Sequence, residues 1–250
     1  MKRIILFAVA LVLGLSACSA SGPRQYVLKV IKEYPHDRSA YTQGLFFSGG
    51  ELFESTGQCG STSFRKVDLE SGKVLRRLDF DRKYFGEGSV MLDGRLYMLT
   101  WTNKVAFVYD AGTLQYIKTC AYPREGWGLT TDGKSLIASD GSADLFFMDG
   151  DFKLQKKLRV TMNDRPVKLL NELEWIDGKI WANVYTTDMI LIINPSSGKV
   201  EGVVDCSGLL PRALRRPDTD VLNGIAVLDG RIFLTGKNWP KLYEIQLKEK

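Results

Sequence analysis

Three observations in this 250-residue chain predict an all-β fold. A turn glycine followed by a short alternating apolar run recurs five times: "SGGELFESTG" (48–57), "LDGRLYMLTW" (92–101), "TDGKSLIASD" (131–140), "IDGKIWANVY" (176–185) and "LDGRIFLTGK" (228–237). The glycines Gly50, Gly94, Gly133, Gly178 and Gly230 stand 44, 39, 45 and 52 residues apart. Each run is followed by another strand-like stretch, and usually by a turn and one more, as in "FRKVDLESGKVLRRLDF" and "VAFVYDAGTLQYIKTC". Glycine or aspartate turns between short alternating runs are hairpin signals. Four strands per repeat of roughly 40–50 residues is the pattern of a β-propeller, here with five blades. A β-sandwich uses similar hairpins but does not explain the fivefold register.

The elements follow in order. Lys2 and Arg3 precede an apolar run from Ile4 to Leu15, then "LSAC" (15–18), the layout of a secretory signal peptide. The run is short for a membrane span. "LSAC" resembles the bacterial lipobox, which implies Cys18 as the lipidated first residue of the mature chain and residues 1–17 as a lipoprotein signal peptide; the alternative is a plain signal peptide with an incidental cysteine. Ser19 after the cysteine resembles outer-membrane sorting in a cell with two membranes, so an exported protein anchored on the periplasmic side is expected. Residues 18–25 read as a tether, and 26–250 as a single propeller domain. Its first strand, "YVLKVIKEY" (26–34), has no partner within a repeat, while the fifth repeat stops after "LYEIQL" (242–247) one strand short. Pairing the two would close the ring and remove an exposed sheet edge.

Composition narrows the function. Without Lys2 and Arg3 the 34 basic residues fall to 32 against 29 acidic, and no basic cluster accompanies them, so nucleic acid is not an expected partner. A hydrophobic content of 44% suits one domain with a sizeable core, expected as a monomer. Cys59, Cys120 and Cys206 lack metal-site spacing; one disulfide is compatible with an oxidising compartment, but its pairing is not readable. His36 is the only histidine, which argues against a Ser–His–Asp triad and a His-rich zinc site.

Register locates the candidate site. Seven residues before the turn glycines stand Gln43, Glu87, Gly126 (with Trp127 next), Asn171 and Asn223; seven after stand Gly57, Trp101, Asp140, Tyr185 and Lys237. Positions equally far from a turn lie opposite each other, so both sets fall at one mouth of the channel. A carboxylate there, flanked by Gly86 and Gly88 and walled by aromatics, is desolvated and should have a raised pKa suited to proton transfer. Gln43 and Asn223 could equally serve backbone groups at a narrow channel.

These same residues carry a resemblance. "YTQGL" (41–45), "FGEG" (85–88), "EGWGL" (125–129), "LNELEWIDGKIWANVY" (170–185), "VLNGIA" (221–226) and "TGKNWPKLYEI" (235–245) resemble the plant-type glutaminyl-peptide cyclotransferases and the bacterial glutamine cyclotransferases of the same family. The likeness runs from about residue 26 to the C-terminus. It implies a five-bladed propeller that converts the N-terminal glutamine of peptides or proteins to pyroglutamate, releasing ammonia without a catalytic metal. By position it implies Glu87 as the catalytic residue and Gln43, Asn171, Lys237, Trp101, Trp127 and Phe85 around the substrate, with Tyr185 at one wall. Tyr41 replaces the phenylalanine usual before "TQGL", and Tyr185 stands where plant enzymes have a tryptophan. A structural cation such as calcium in the channel is left open. Two rivals are a calcium-dependent propeller hydrolase, which needs several inward carboxylates (Asp140 and Glu172 beside Glu87), and a non-catalytic peptide-binding lipoprotein, which does not need Glu87.

Overall fold

The computed structural model describes residues 22–250. The segment expected to be a lipoprotein signal peptide, and Cys18 after it, lie outside the described residues. The chain is all-β, its only helical element among the described residues being a short 3-10 turn at Arg212–Leu214.

The first strand, β1 (Arg24–Pro35), is followed by a four-stranded antiparallel sheet, β2 (Thr42–Ser48), β3 (Glu51–Thr56), β4 (Ser63–Val67) and β5 (Val74–Asp79). A second follows, β6 (Gly86–Leu92), β7 (Arg95–Thr100), β8 (Val105–Asp110) and β9 (Tyr116–Ala121). The third is β10 (Leu129–Thr131), β11 (Leu136–Ala138), β12 (Asp144–Met148) and β13 (Leu154–Arg159). After a small hairpin, β14 (Thr161–Met162) and β15 (Arg165–Pro166), come β16 (Leu170–Ile176), β17 (Lys179–Val184), β18 (Met189–Ile193) and β19 (Val200–Asp205). The last three strands are β20 (Leu222–Leu228), β21 (Arg231–Gly236) and β22 (Lys241–Glu249).

β1 lies beside β22, antiparallel, from Tyr26 opposite Glu249 to Pro35 opposite Lys241. Its N-terminal end also runs parallel to β19, Arg24 opposite Gly202 through Val27 opposite Asp205, which joins the fourth and fifth units into one eight-stranded sheet. These pairings start the strand at Arg24, two residues before the alternating pattern does, because main-chain hydrogen bonding extends past the residues whose side chains carry that pattern.

The core sits between sheets. Phe46, Phe53 and Phe64 of the first unit meet Leu96, Met98 and Phe107 of the second. Val90 and Tyr97 meet Leu136 and Phe146; Phe147 and Leu158 meet Leu173 and Ile180; Trp181 and Ile190 meet Ile225 and Leu234. Phe233 and Leu242 of the fifth unit meet Leu45 and Leu52 of the first, with Tyr34 of β1 between them. Burial of one such ring contributes roughly 1.5–3 kcal/mol.

The first strands of the units lie side by side: β2 against β6 and β20, β6 against β10, β10 against β16, and β16 against β20. Glycine permits the close crossings. A Cβ on Gly88 would stand 2.4 Å from the Leu129 amide nitrogen and 2.7 Å from the Trp127 carbonyl oxygen. In the fourth unit the equivalent position is Glu172, whose carboxylate instead accepts the amides of Leu45 (3.2 Å) and Ile225 (2.9 Å). Those inward-facing N–H groups would otherwise be buried without a partner. Cys59, Cys120 and Cys206 are all free thiols.

Candidate active site

Four of the residues singled out by register sit in β-bulges. Pairing is regular on either side of Gln43, Glu87, Asn171 and Asn223 and shifts at each of them. An extra residue in one strand turns its side chain out of the alternating pattern, here into the space where the first strands begin. The bulges also change who faces whom. The amide of Trp101 donates to the carbonyl of Phe85 (3.0 Å), not to a residue opposite Glu87. The same bond recurs from Gly57 to Tyr41, Tyr185 to Leu169 and Lys237 to Val221. The residue seven after a turn glycine thus pairs with the one nine before it, and both register sets remain at one end.

At that end lies a cavity of 190 Å³ lined by Tyr41, Gln43, Phe85, Glu87, Trp101, Trp127, Asn171, Tyr185 and Lys237. All eight pocket residues expected from the sequence are there. Tyr41 is the addition: it occupies the same register position as Phe85, the signal by which it could have been found. Asn223 is turned aside, its Nδ2 donating to the Thr42 carbonyl (2.9 Å) and to Gln43 Oε1 (3.3 Å). Because the Thr42 carbonyl can only accept, the Asn223 amide must present its NH₂ there, so the Gln43 atom beside it is an oxygen. That leaves the NH₂ of Gln43 free to donate. Asp140 accepts the Ser142 amide (3.0 Å) and Glu172 is spent on backbone amides, so neither joins Glu87 in the cavity.

Glu87 is 5% exposed; its backbone carbonyl accepts the Ser55 hydroxyl (2.8 Å), but its carboxylate accepts no hydrogen bond from the described residues. Burial therefore pushes its carboxyl well above the usual range; Lys237 opposes the shift and Glu125 adds to it. Lys237 is also buried, its ammonium 4.8 Å from the ring centre of Tyr41 and 5.1 Å from that of Tyr185. Burial lowers its pKa, while Glu87 and Asp220 hold it up. The Tyr41 hydroxyl donates to Asp220 (2.6 Å), fixing that ring beside the ammonium. Trp127 rests on the backbone at Gly141, where a Cβ would come within 2.6 Å of its indole.

The site thus combines one unpaired carboxylate, an ammonium, two side-chain amides and aromatic walls. It can move a single proton and donate hydrogen bonds to a developing negative oxygen. Among the described residues no three His, Cys, Asp or Glu side chains gather where they could hold a metal ion.

Comparison with known proteins shows the family. The glutamine cyclotransferase family profile matches residues 3–247. The glutaminyl-peptide cyclotransferase of Arabidopsis thaliana is 45% identical over 231 residues, covering 89% of this chain and 72% of the plant protein. The crystal structure of Myxococcus xanthus glutaminyl cyclase superposes with a TM-score of 0.84 at 40% identity, covering 91% of this chain and 99% of that one. The chain belongs to the glutamine cyclotransferase family.

Proposed function

We propose that the five units are the blades of a β-propeller closed by β1, and that the cavity at its mouth converts N-terminal glutamine of peptides or proteins to pyroglutamate. The observation that carries this reading is Glu87: a buried carboxylate that accepts no hydrogen bond from the described residues, in the lining of an aromatic-walled pocket.

The reaction is intramolecular, so folding the glutamine side chain back on its own α-amine is much of the work, and a cavity of 190 Å³ suits one such residue. The neutral amine nitrogen bonds to the γ-carbonyl carbon, and the electron pair of the C=O moves onto oxygen. Lys237 and the NH₂ of Gln43 or Asn171 donate to that oxygen. Glu87, ionised, takes a proton from the attacking nitrogen. As the carbonyl reforms, the bond to the original amide nitrogen breaks, and Glu87 returns the proton to it, so ammonia leaves. The walls of Phe85, Trp101, Trp127 and Tyr185 keep out the water that would otherwise yield glutamate.

No step calls for a metal. Purified protein given a glutaminyl dipeptide is expected to release ammonia and pyroglutamyl product at the same rate with and without a chelator. Product glutamate, or no product, contradicts the reading. Loss of turnover on chelation, restored by zinc or calcium, would show a metal in the chemistry.

The proposal extends to placement: an exported lipoprotein held by acyl chains on Cys18, with the short polar segment 19–23 before β1. Cys18→Ser is expected to move the protein from the membrane to the soluble fraction with its activity intact. A soluble wild type, or a membrane-bound mutant, refutes it.

A further inference from the structure

The cavity rim is a nearly continuous circuit. Tyr41 meets Phe85 edge-on (ring centres 6.2 Å apart), and Phe85 meets Trp101 (5.6 Å). On the far side Trp127 meets Tyr185 edge-on (5.6 Å), and Lys237 bridges Tyr185 back to Tyr41. The gap between Trp101 and Trp127 is spanned by one atom. Oε2 of Glu125 accepts both indole N–H groups, at 2.9 Å from Trp101 and 3.2 Å from Trp127.

We propose that Glu125 is a positioning residue of this site, whose single carboxylate oxygen joins the two tryptophans into one wall and so closes the rim around the substrate. The proposal rests on the function proposed above. Its physical basis is the exposure of Trp101, 41% accessible at the end of β7, where the edge of Phe85 is its one aromatic contact. An indole so placed loses much of its wetted freedom only if its N–H has a fixed acceptor. A carboxylate accepts two such bonds on one oxygen, each stronger than a bond to a neutral group.

The charge has a second consequence. The ionisable groups facing Glu87 are Lys237 on β21's outgoing end, Tyr41 before β2, Tyr185 after β17 and Glu125 before β10. Of these Glu125 is the other carboxylate and raises the Glu87 pKa, so its removal should make Glu87 easier to ionise.

The test uses the full chain with Glu125→Ala and Glu125→Gln, read against wild type on a glutaminyl dipeptide. Glu125→Ala is expected to raise KM about tenfold with a smaller fall in kcat, because substrate is held in a looser wall. Glu125→Gln keeps an acceptor oxygen and should recover most of that KM. Both should move the acid limb of kcat/KM to lower pH; the substrate amine titrates identically in all three and cancels. A wild-type KM and pH profile in Glu125→Ala overturns the proposal, as does a Glu125→Gln variant with the KM of Glu125→Ala. In ¹⁵N-labelled protein without substrate, two of the five tryptophan indole resonances should shift in Glu125→Ala. That readout stands apart from activity: if wild type forms no pyroglutamate the functional reading fails, while unshifted indole resonances defeat the role of Glu125.

Discussion

Glu54 in β3 and Glu87 in β6 are buried to the same degree, 1% and 5% exposed, in neighbouring sheets. Their surroundings differ. Glu54 accepts from His36 Nε2 (3.0 Å) and Thr42 Oγ1 (2.7 Å), with Arg65 Nε at 3.9 Å. Burial alone would raise its pKa, but the His36 charge and hydrogen bond, Arg65 and Thr42 together bring it below the usual value. His36 is matched to this: its other nitrogen faces the Trp239 carbonyl (2.7 Å), so both ring nitrogens meet acceptors and the imidazolium is favoured. Burial would lower the His36 pKa, yet Glu54 and that carbonyl leave it raised. Glu87 has none of these partners, and burial dominates. The cost of burial is thus offset where a charge ties β1's exit to the first and fifth units, and left standing where a proton must come and go.

The largest expected effect separates the two residues by activity. Glu87→Gln keeps the size and polarity of the side chain but cannot carry a proton, and cyclisation should fall by roughly 10²–10⁴. Glu54→Gln should retain most of its turnover per folded molecule. Instead it should lose on the order of 3 kcal/mol of stability by urea denaturation, since the Arg65 and His36 charges lose their buried counterion. Equal activity losses in the two variants would erase the distinction.

The pH dependence of stability sharpens the comparison, and the signs are opposite. The folded-state pKa of Glu87 is raised, so its contribution is most favourable below the unfolded carboxylate value and is lost as pH rises through the folded one. Glu87→Gln should therefore melt higher than wild type at neutral pH, with the gain vanishing in acid. Glu54 has a depressed folded pKa, so its stabilisation is present above the unfolded value and lost as pH falls through the folded one. Glu54→Gln should melt lower at neutral pH, with its deficit shrinking in acid. Melting curves across pH 3–8, about the carboxylate range and beyond, read both slopes. Parallel slopes would contradict the assignment. Glu174, a buried carboxyl pushed up to about 8 by burial, should show the smaller version of the Glu87 behaviour, because the Val227 amide and Thr130 partly offset its burial.

The sequence carries the site unevenly. Turn glycines at near-constant spacing mark Glu87, Trp101, Tyr185 and Lys237 as residues of one mouth, because strand length from a turn is a count any reader can make. The bulges are not in that count. One extra residue in β2 or β6 leaves no compositional trace, yet it aims Gln43 and Glu87 into the cavity and sets Trp101 opposite Phe85. Asn223 shares the register of Gln43 and is turned toward it, which only the Thr42 carbonyl explains. Glu125 precedes a glycine in a loop, and its two indole partners come from different units. The His36–Glu54 pair joins residues with no shared periodicity, brought together by the crossing of β1's exit with β3.

Whether Glu87 is held as an unpaired, proton-exchanging carboxyl is tested most directly by its titration in the folded protein. Isotope-edited infrared difference spectra of protein with labelled glutamate, wild type minus Glu87→Gln, isolate its protonated C=O band as pH is raised. The band should persist well above the ordinary glutamate range and disappear only beyond it, while the corresponding difference for Glu54→Gln shows an ionised carboxylate throughout. A Glu87 band lost at or below ordinary glutamate values would contradict the account.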